Sequence, residues 1–244
     1  MRQMRSCIIV PCFNEEKRIS VNSFTNFAIN HADIHFIFVN DGSNDKTIDV
    51  LREMNSISPK CTFIDMKINQ GKASAVREGM LRASALGFDL MGYLDADLTI
   101  PLDTAKEMLD KIKHKDFEFI FASRTSRFKK DKGQNFMRQS LGHTFSILSR
   151  ATIQLPVKDT QCGAKFFKAS VVPLLFEAKF ISKWIFDVEI FFRFKDHFKE
   201  KSTDHFFEFP LDFWEDNNDS KVKFKDYLKV PYSLLTIFFH YRYR

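Results

Sequence analysis

Five short apolar runs, each closed by a polar turn, constrain this chain more than any other feature. They span residues 6–12, 35–39, 62–66, 88–94 and 117–122. Each is short enough for a strand, and the β-branched and aromatic content favours one. Between them lie stretches of helical character, about 14–31, 44–57, 73–86 and 101–114. Asn44 or Ser43 suits the N-cap of the second stretch, with Asp45 in its first turn; Pro101 suits the first position of the fourth. Strands alternating with helices predict an α/β fold with a Rossmann-like, mostly parallel central sheet and helices on both faces. Ligands of such sheets bind beyond the carboxyl ends of the strands.

Those ends carry Asn14 and Glu15, Asp41, Asp95 and Asp97, then Ser123 and Arg124. Asp95 and Asp97 close the fourth run. In extended chain, residues two apart point to the same side. Two carboxylates aimed at one spot repel unless something positive sits between them. A hard divalent cation is one answer, since it takes oxygen ligands and bridges carboxylates to phosphates. A solvated strand-end turn is the other, because Asp favours turns and caps.

Composition narrows the partners. The 244 residues fit one large domain. Formal net charge is +6 and the pI about 9.0, which suggests an anionic partner: a nucleotide, a phosphate or an anionic membrane surface. Nothing points to nucleic acid. Cys7, Cys12, Cys61 and Cys162 form no C-x-x-C pair and follow no secretory signal, so free thiols in a reducing cytoplasm are expected. No stretch of about 20 apolar residues exists, so no membrane-spanning helix is expected.

After Arg124 the pattern changes. Arg124, Arg127, Lys129, Lys130 and Lys132 crowd nine residues, and Arg138 lies near the start of a helical stretch. This run reads either as a solvated loop or as a basic lid over an anionic substrate. Residues 157–163 form a polar turn before a short strand at 164–167. Asp187 and Glu189 stand among aromatics near the start of another helix, with Arg193 a plain structural partner. Residues 206–214 alternate like a strand. The basic, aromatic tail, 221–244, reads equally as a helix packed on the core or as an amphipathic helix in a membrane interface.

The motifs together resemble those of a known family. Ile9-Val10-Pro11-Cys12-Phe13-Asn14-Glu15-Glu16 is similar to the V-P-x-Y-N-E-E start of family 2 glycosyltransferases with the GT-A fold. Asn40-Asp41-Gly42-Ser43-Asn44-Asp45-Lys46-Thr47 resembles their D-D-G-S-x-D-x-T, Asn69 to Ala75 their N-x-G-K-G-x-A, and Asp95-Ala96-Asp97 their metal-binding D-A-D. Asp159-Thr160-Gln161-Cys162-Gly163, the W-x-F-D-V-E segment from Trp184 to Glu189, and Trp214-Glu215 before Ser220-Lys221-Val222 resemble the dolichyl-phosphate β-glucosyltransferase branch. Phe13 stands where the family has Tyr, keeping a stacking face. Asn40 replaces the first Asp of its pair, so base recognition leans on Asp41.

The resemblance implies a GT-A domain over 1–222, with a nucleotide-sugar half (1–123) and an acceptor half (124–222), followed by a basic aromatic segment (223–244). It implies a nucleotide-sugar donor, UDP-glucose foremost and GDP-mannose as the alternative, held by Pro11, Phe13, Asn14, Glu15, Asp41, Lys72, Asp95, Ala96, Asp97 and Gln161. Asp97, with Asp95 on the ribose or a metal-bound water, would hold Mg²⁺ or Mn²⁺. The acceptor would be a polyprenyl phosphate, already largely a dianion at neutral pH and needing no general base. Arg124 and Arg138 would clamp its phosphate, and in-line attack would invert the anomeric centre. A hydroxyl acceptor would instead need a base, for which Asp187 or Glu189 is the candidate. Either way the expected place of work is the cytoplasmic face of a membrane, with the protein peripherally attached.

Overall fold

A computed structural model of the chain describes residues 3–124, 149, 152–211 and 224–242. In chain order the elements are β1 (Ser6–Cys12), α1 (Val21–Asn30), β2 (Ile34–Asp41), α2 (Thr47–Ile57), β3 (Cys61–Met66), α3 (Lys72–Ala85), β4 (Leu90–Leu94), α4 (Leu102–Lys113) and β5 (Phe119–Ser123). Then come β6 (Ala164–Lys168), α5 (Val172–Phe176), α6 (Phe186–Phe198), β7 (Phe206–Pro210) and α7 (Phe224–Arg242).

The strands form one seven-stranded sheet, ordered β3-β2-β1-β4-β6-β5-β7. The first five strands do alternate with helices as the sequence predicts, but β5 does not lie beside β4. Strand β6 enters between them, antiparallel to both, and β7 pairs parallel to β5. One sheet therefore contains strands from both expected halves of the domain.

Both faces of the sheet are covered. Along β1, Cys7 and Ile9 enter one core layer, and Ile8 and Val10 enter the other. All four have no exposed surface. This period of two on a strand apolar throughout is the mark of a sheet buried on both sides. Full burial of an Ile or Val side chain contributes roughly 1.5–3 kcal/mol. Helices α1, α2 and α4 pack on the Ile8 side through Phe24, Leu51 and Met108. Helices α3, α5, α6 and α7 pack on the Ile9 side through Val76, Phe176, Phe191 and Leu234.

Some local expectations are corrected. Helix α1 starts at Val21 rather than Asn14, because residues 14–18 are held against the next loop; its N-cap is Ser20, whose side chain accepts from the Ser23 N–H. Helix α2 is preceded by Lys46, without a side-chain cap hydrogen bond, in place of Asn44 or Ser43. Pro101 sits just ahead of α4, in extended conformation. Strand β7 ends at Pro210; Trp214, Glu215 and the segment 220–222 lie outside the described residues, as do Arg127, Lys129, Lys130, Lys132 and Arg138.

Helix α7 buries Leu234 and Ile237 but leaves Tyr232, Leu235 and Phe239 exposed. Among the described residues no helix is long and apolar enough to cross a membrane.

Candidate active site

The strand order reverses at β1, whose neighbours are β2 and β4. That is where an open α/β sheet forms its ligand crevice. The loops leaving β1 and β2 are tied together there. Asn14, at φ 54°, donates its N–H to Ser43 Oγ at 2.9 Å and accepts the Asn44 N–H on Oδ1 at 2.9 Å. The Glu15 N–H reaches Thr47 Oγ1 at 2.8 Å, and the Glu16 N–H reaches Asp45 Oδ2 at 3.2 Å. Pro11 remains within β1, and Phe13 begins the loop, half-buried.

Asp41, at the end of β2, is buried. Its two carboxylate oxygens accept the Gln70 and Gly71 N–H groups at 2.7 and 2.8 Å. Asp41 thus fixes the turn that launches α3. Gly71 has φ 95°, a left-handed value that favours glycine. The next residue, Lys72, reaches across to the end of β4 and pairs with Asp95 Oδ1 at 2.5 Å. Burial tends to lower the Lys72 pKa, but Asp95, Asp187 and Asp97 more than offset this and hold it above the ordinary lysine value.

Asp95, Ala96 and Asp97 follow β4 in a tight turn, and Leu98 is left-handed at φ 53°. Each carboxylate has its own cation, Lys72 for Asp95 and Arg18 for Asp97 at 2.9 Å. The other oxygen of Asp97 accepts from the N–H and hydroxyl of Thr99. The pair thus sits in a hydrogen-bonded turn, with Lys72 and Arg18 supplying the positive charge beside its carboxylates. The side chains stay 40% and 22% exposed, open to a ligand. Among the described residues no three His, Cys, Asp or Glu gather around one point. A cation here would take carboxylate oxygen from Asp97 and Asp95 and complete its shell with diphosphate oxygens and water. That donor set fits Mg²⁺ or Mn²⁺, hard ions commonly held by one or two carboxylates plus substrate phosphates.

Gly163, just ahead of β6, presses on this turn. A Cβ there would fall 2.2 Å from Asp95 Oδ2 and 2.7 Å from its Cγ, so only glycine permits the contact. Upstream, Gln161 donates its N–H to Asp159 Oδ1. Asp159 also holds Arg124, whose Nε and a terminal nitrogen meet its two oxygens at 2.7 and 3.0 Å. Burial raises the Asp159 carboxyl, yet the Arg124 guanidinium outweighs it and leaves the pKa below the ordinary range.

Both acids of α6 have partners, Glu189 on both oxygens and Asp187 on Oδ1. Asp187 Oδ1 accepts from Lys165 Nζ at 2.6 Å and from the Tyr93 hydroxyl. Tyr93 on β4 and Lys165 on β6 face each other in the antiparallel register. Neither has exposed surface. Burial and the Asp187 charge push the Tyr93 hydroxyl well above its usual pKa, so it stays a neutral donor. Glu189 accepts the Ser182 and Ile181 N–H groups at 2.9 and 3.1 Å and lies 3.5 Å from Arg193. Burial raises its carboxyl despite those bonds. The Arg193 partner was legible in the sequence for Glu189; Asp187 takes Lys165 instead.

Sequence reasoning missed Arg18, Lys165 and the pressure of Gly163. Arg18 was hidden inside a presumed helix. Lys165 did leave a signal, a lone charge in the apolar run 164–167, which in a buried strand requires a partner.

Comparison with known proteins identifies the family. Residues 7–173 match the model of the family described as Glycosyl transferase family 2. A protein named dolichyl-phosphate beta-glucosyltransferase ALG5C, from Trichomonas vaginalis, is 27% identical over 254 residues, covering 98% of this chain and 72% of its own length. A dolichyl-phosphate beta-glucosyltransferase of Dictyostelium discoideum is 29% identical over 202 residues, covering 76% of this chain and 60% of its own length. Among solved structures, glucosyl-3-phosphoglycerate synthase from Mycobacterium tuberculosis, crystallised with Mn²⁺, UDP-glucose and phosphoglyceric acid, aligns with TM-score 0.67 at 14% identity, over 96% of this chain and 80% of that one. A family match over more than half the chain, on a GT-A sheet with its acidic turn at the strand ends, makes this chain a glycosyltransferase belonging to family 2.

Proposed function

We propose that the chain transfers glucose from UDP-glucose to a polyprenyl phosphate, with inversion and with a divalent cation held by Asp97 and Asp95. The relatives' printed names support the acceptor and sugar, and the Mn²⁺ and UDP-glucose bound in the structural neighbour support the donor and metal. One observation carries the choice of acceptor. A hydroxyl acceptor needs a base, and both candidates are tied down inside the fold: Asp187 by Lys165 and Tyr93, Glu189 by two backbone N–H groups and Arg193. A phosphate monoester has its second pKa near 6 and arrives already charged.

Pro11, Phe13, Asn14 and Glu15 line the uridine side, and Asp41 acts through the turn it fixes, placing Lys72. Asp95 faces the ribose side, with Ala96 packed beneath and Gln161 close to the sugar. Bound at Asp97 and Asp95, Mg²⁺ or Mn²⁺ supplies Lewis-acid charge neutralisation of the diphosphate. Lys72 and Arg18 add positive charge beside it. Arg124, kept oriented by Asp159, and Arg138 clamp the acceptor phosphate, whose fixed geometry suits a forked guanidinium. A phosphate oxygen attacks C1 from the face opposite the diphosphate, the C1–O bond breaks, and UDP leaves with the electron pair. A lipid acceptor calls for peripheral attachment to a membrane, on its cytoplasmic face; the burial of Cys7, Cys12, Cys61 and Cys162 as thiols agrees with a reducing compartment.

The test is transfer from labelled UDP-glucose, with Mg²⁺ or Mn²⁺, to polyprenyl phosphate, the parent polyprenol and free sugars side by side. Glucose on polyprenyl phosphate alone is the expected product. Transfer to polyprenol or sugars, and none to the phosphate, refutes the proposal.

A further inference from the structure

A polyprenyl phosphate must be taken from a bilayer, so the mouth of the site has to meet lipid. The tail is one candidate contact, but a nearer one surrounds Gly71. Three large apolar side chains stand in water there: Ile68 at 73% exposure, Trp184 at 48% and Ile181 at 40%. Ile68 lies three residues before Gly71, in the turn that Asp41 fixes. Trp184 follows Lys183, whose side chain packs on Gly71 (a Cβ at Gly71 would lie 3.0 Å from Lys183 Cβ) and whose carbonyl accepts the Ala73 N–H at 3.3 Å. Both segments therefore flank Lys72, the residue that pairs with Asp95.

The segment carrying Ile181 and Trp184 is held from within. Glu189 takes the Ile181 and Ser182 N–H groups, Ser182 Oγ accepts from the Trp184 and Ile185 N–H groups, and Arg193 binds the Ala178 and Lys179 carbonyls at 2.9 Å each. This hydrogen-bonded backbone presents Ile181 and Trp184 outward, while Phe180 and Ile185 of the same segment pack on the core. The same segment exposes Lys179 and Lys183, neither of which pairs with an acid among the described residues. Tryptophan with aliphatics and unpaired lysines is the composition that settles at an anionic lipid interface: the ring seeks the headgroup level, and each lysine near an anionic surface attracts it.

We infer that Ile68, Ile181 and Trp184, with Lys179 and Lys183, form a docking rim for an anionic membrane surface, seating the mouth of the active site on the lipid that carries the acceptor. The inference rests on the polyprenyl phosphate reading and places its membrane contact at the site itself rather than only in the tail.

The experiment uses the full chain and its triple variant Ile68→Ser/Ile181→Ser/Trp184→Ser, all surface positions, with thermal melting as a fold check. Sedimentation with vesicles of phosphatidylcholine and phosphatidylserine measures docking. Transfer is measured to a long polyprenyl phosphate in those vesicles and to a short, water-soluble isoprenyl phosphate. The triple variant is expected to bind vesicles at least about tenfold more weakly and to lose transfer to the long acceptor in proportion. Its kcat/KM on the short acceptor should stay within about twofold. Lys179→Glu/Lys183→Glu should lose binding to anionic vesicles and not to neutral ones. Unchanged vesicle binding in the triple variant overturns the rim, as does a parent protein that ignores vesicles. Should the parent use neither isoprenyl phosphate while the triple variant still loses vesicle binding, the acceptor assignment falls and the rim stands.

Discussion

Replacing Asp187 with Asn separates a structural acid from a catalytic one. Asn is nearly isosteric and keeps an oxygen for the Tyr93 hydroxyl, but it removes the charge 2.6 Å from Lys165 Nζ. Lys165 has no exposed surface, and its other polar contact is the Cys162 carbonyl at 2.8 Å. Removing one partner of a buried pair leaves an uncompensated charge and costs about 3–5 kcal/mol. In a domain of this size each kcal/mol moves Tm by about 2–4 °C, so the expected drop is roughly 6–20 °C. The loss should be coupled to Lys165: adding Lys165→Met removes the stranded charge and should restore most of the drop, since apolar replacement of a buried pair is often neutral. Thermal melting of the single and double variants reads this directly. Activity below the melting temperature should fall less than tenfold, whereas loss of a general base costs about 10²–10⁴. A single variant that melts like the parent but has lost turnover by that larger factor refutes the reasoning and makes Asp187 the base.

Other expectations follow from the strand-end turn. Gly163→Ala puts a Cβ inside van der Waals contact of Asp95; displacement of about 1 Å costs on the order of 10²-fold in kcat, with circular dichroism unchanged. Asp97→Asn removes a carboxylate oxygen from the proposed cation and should lower kcat more than about 100-fold, with Tm little affected. Asp159 is held below its usual pKa, since Arg124 outweighs its burial. Its stabilisation is therefore complete above the unfolded carboxylate value, about 4, and is lost as pH falls through the lower folded value. Asp159→Asn should flatten that acid limb of a Tm-against-pH plot and lower Tm at neutral pH.

Local sequence carried most of the sheet and little of its assembly. The strands β1 to β5 were legible because each is a short apolar run between turn residues. The entry of β6 between β4 and β5 was not, since strand order depends on contacts more than 40 residues apart, such as Phe119 opposite Phe167. Helix α1 was read too long because 14–18 has helical composition, and the hydrogen bonds that claim it come from Ser43, Asp45 and Thr47 on another loop. The acidic turn at Asp95 and Asp97 was legible as paired carboxylates at a strand end, and so was the engagement of Glu189 by Arg193, one helical turn away. The cations that balance the turn, Lys72 and Arg18, arrive from two other strand ends, and Asp187 finds Lys165 across the sheet. Pairings of that range have no local signature.

The central claim is that the acceptor brings its own nucleophilic charge. The pH dependence of kcat/KM for the acceptor tests it most directly, using polyprenyl phosphate and a phosphonate analogue of higher second pKa. The account predicts an ascending limb near pH 6 with the phosphate, moving upward with the phosphonate by the difference in acceptor pKa. A limb that stays fixed when the acceptor changes belongs to a group on the protein, and would contradict the claim.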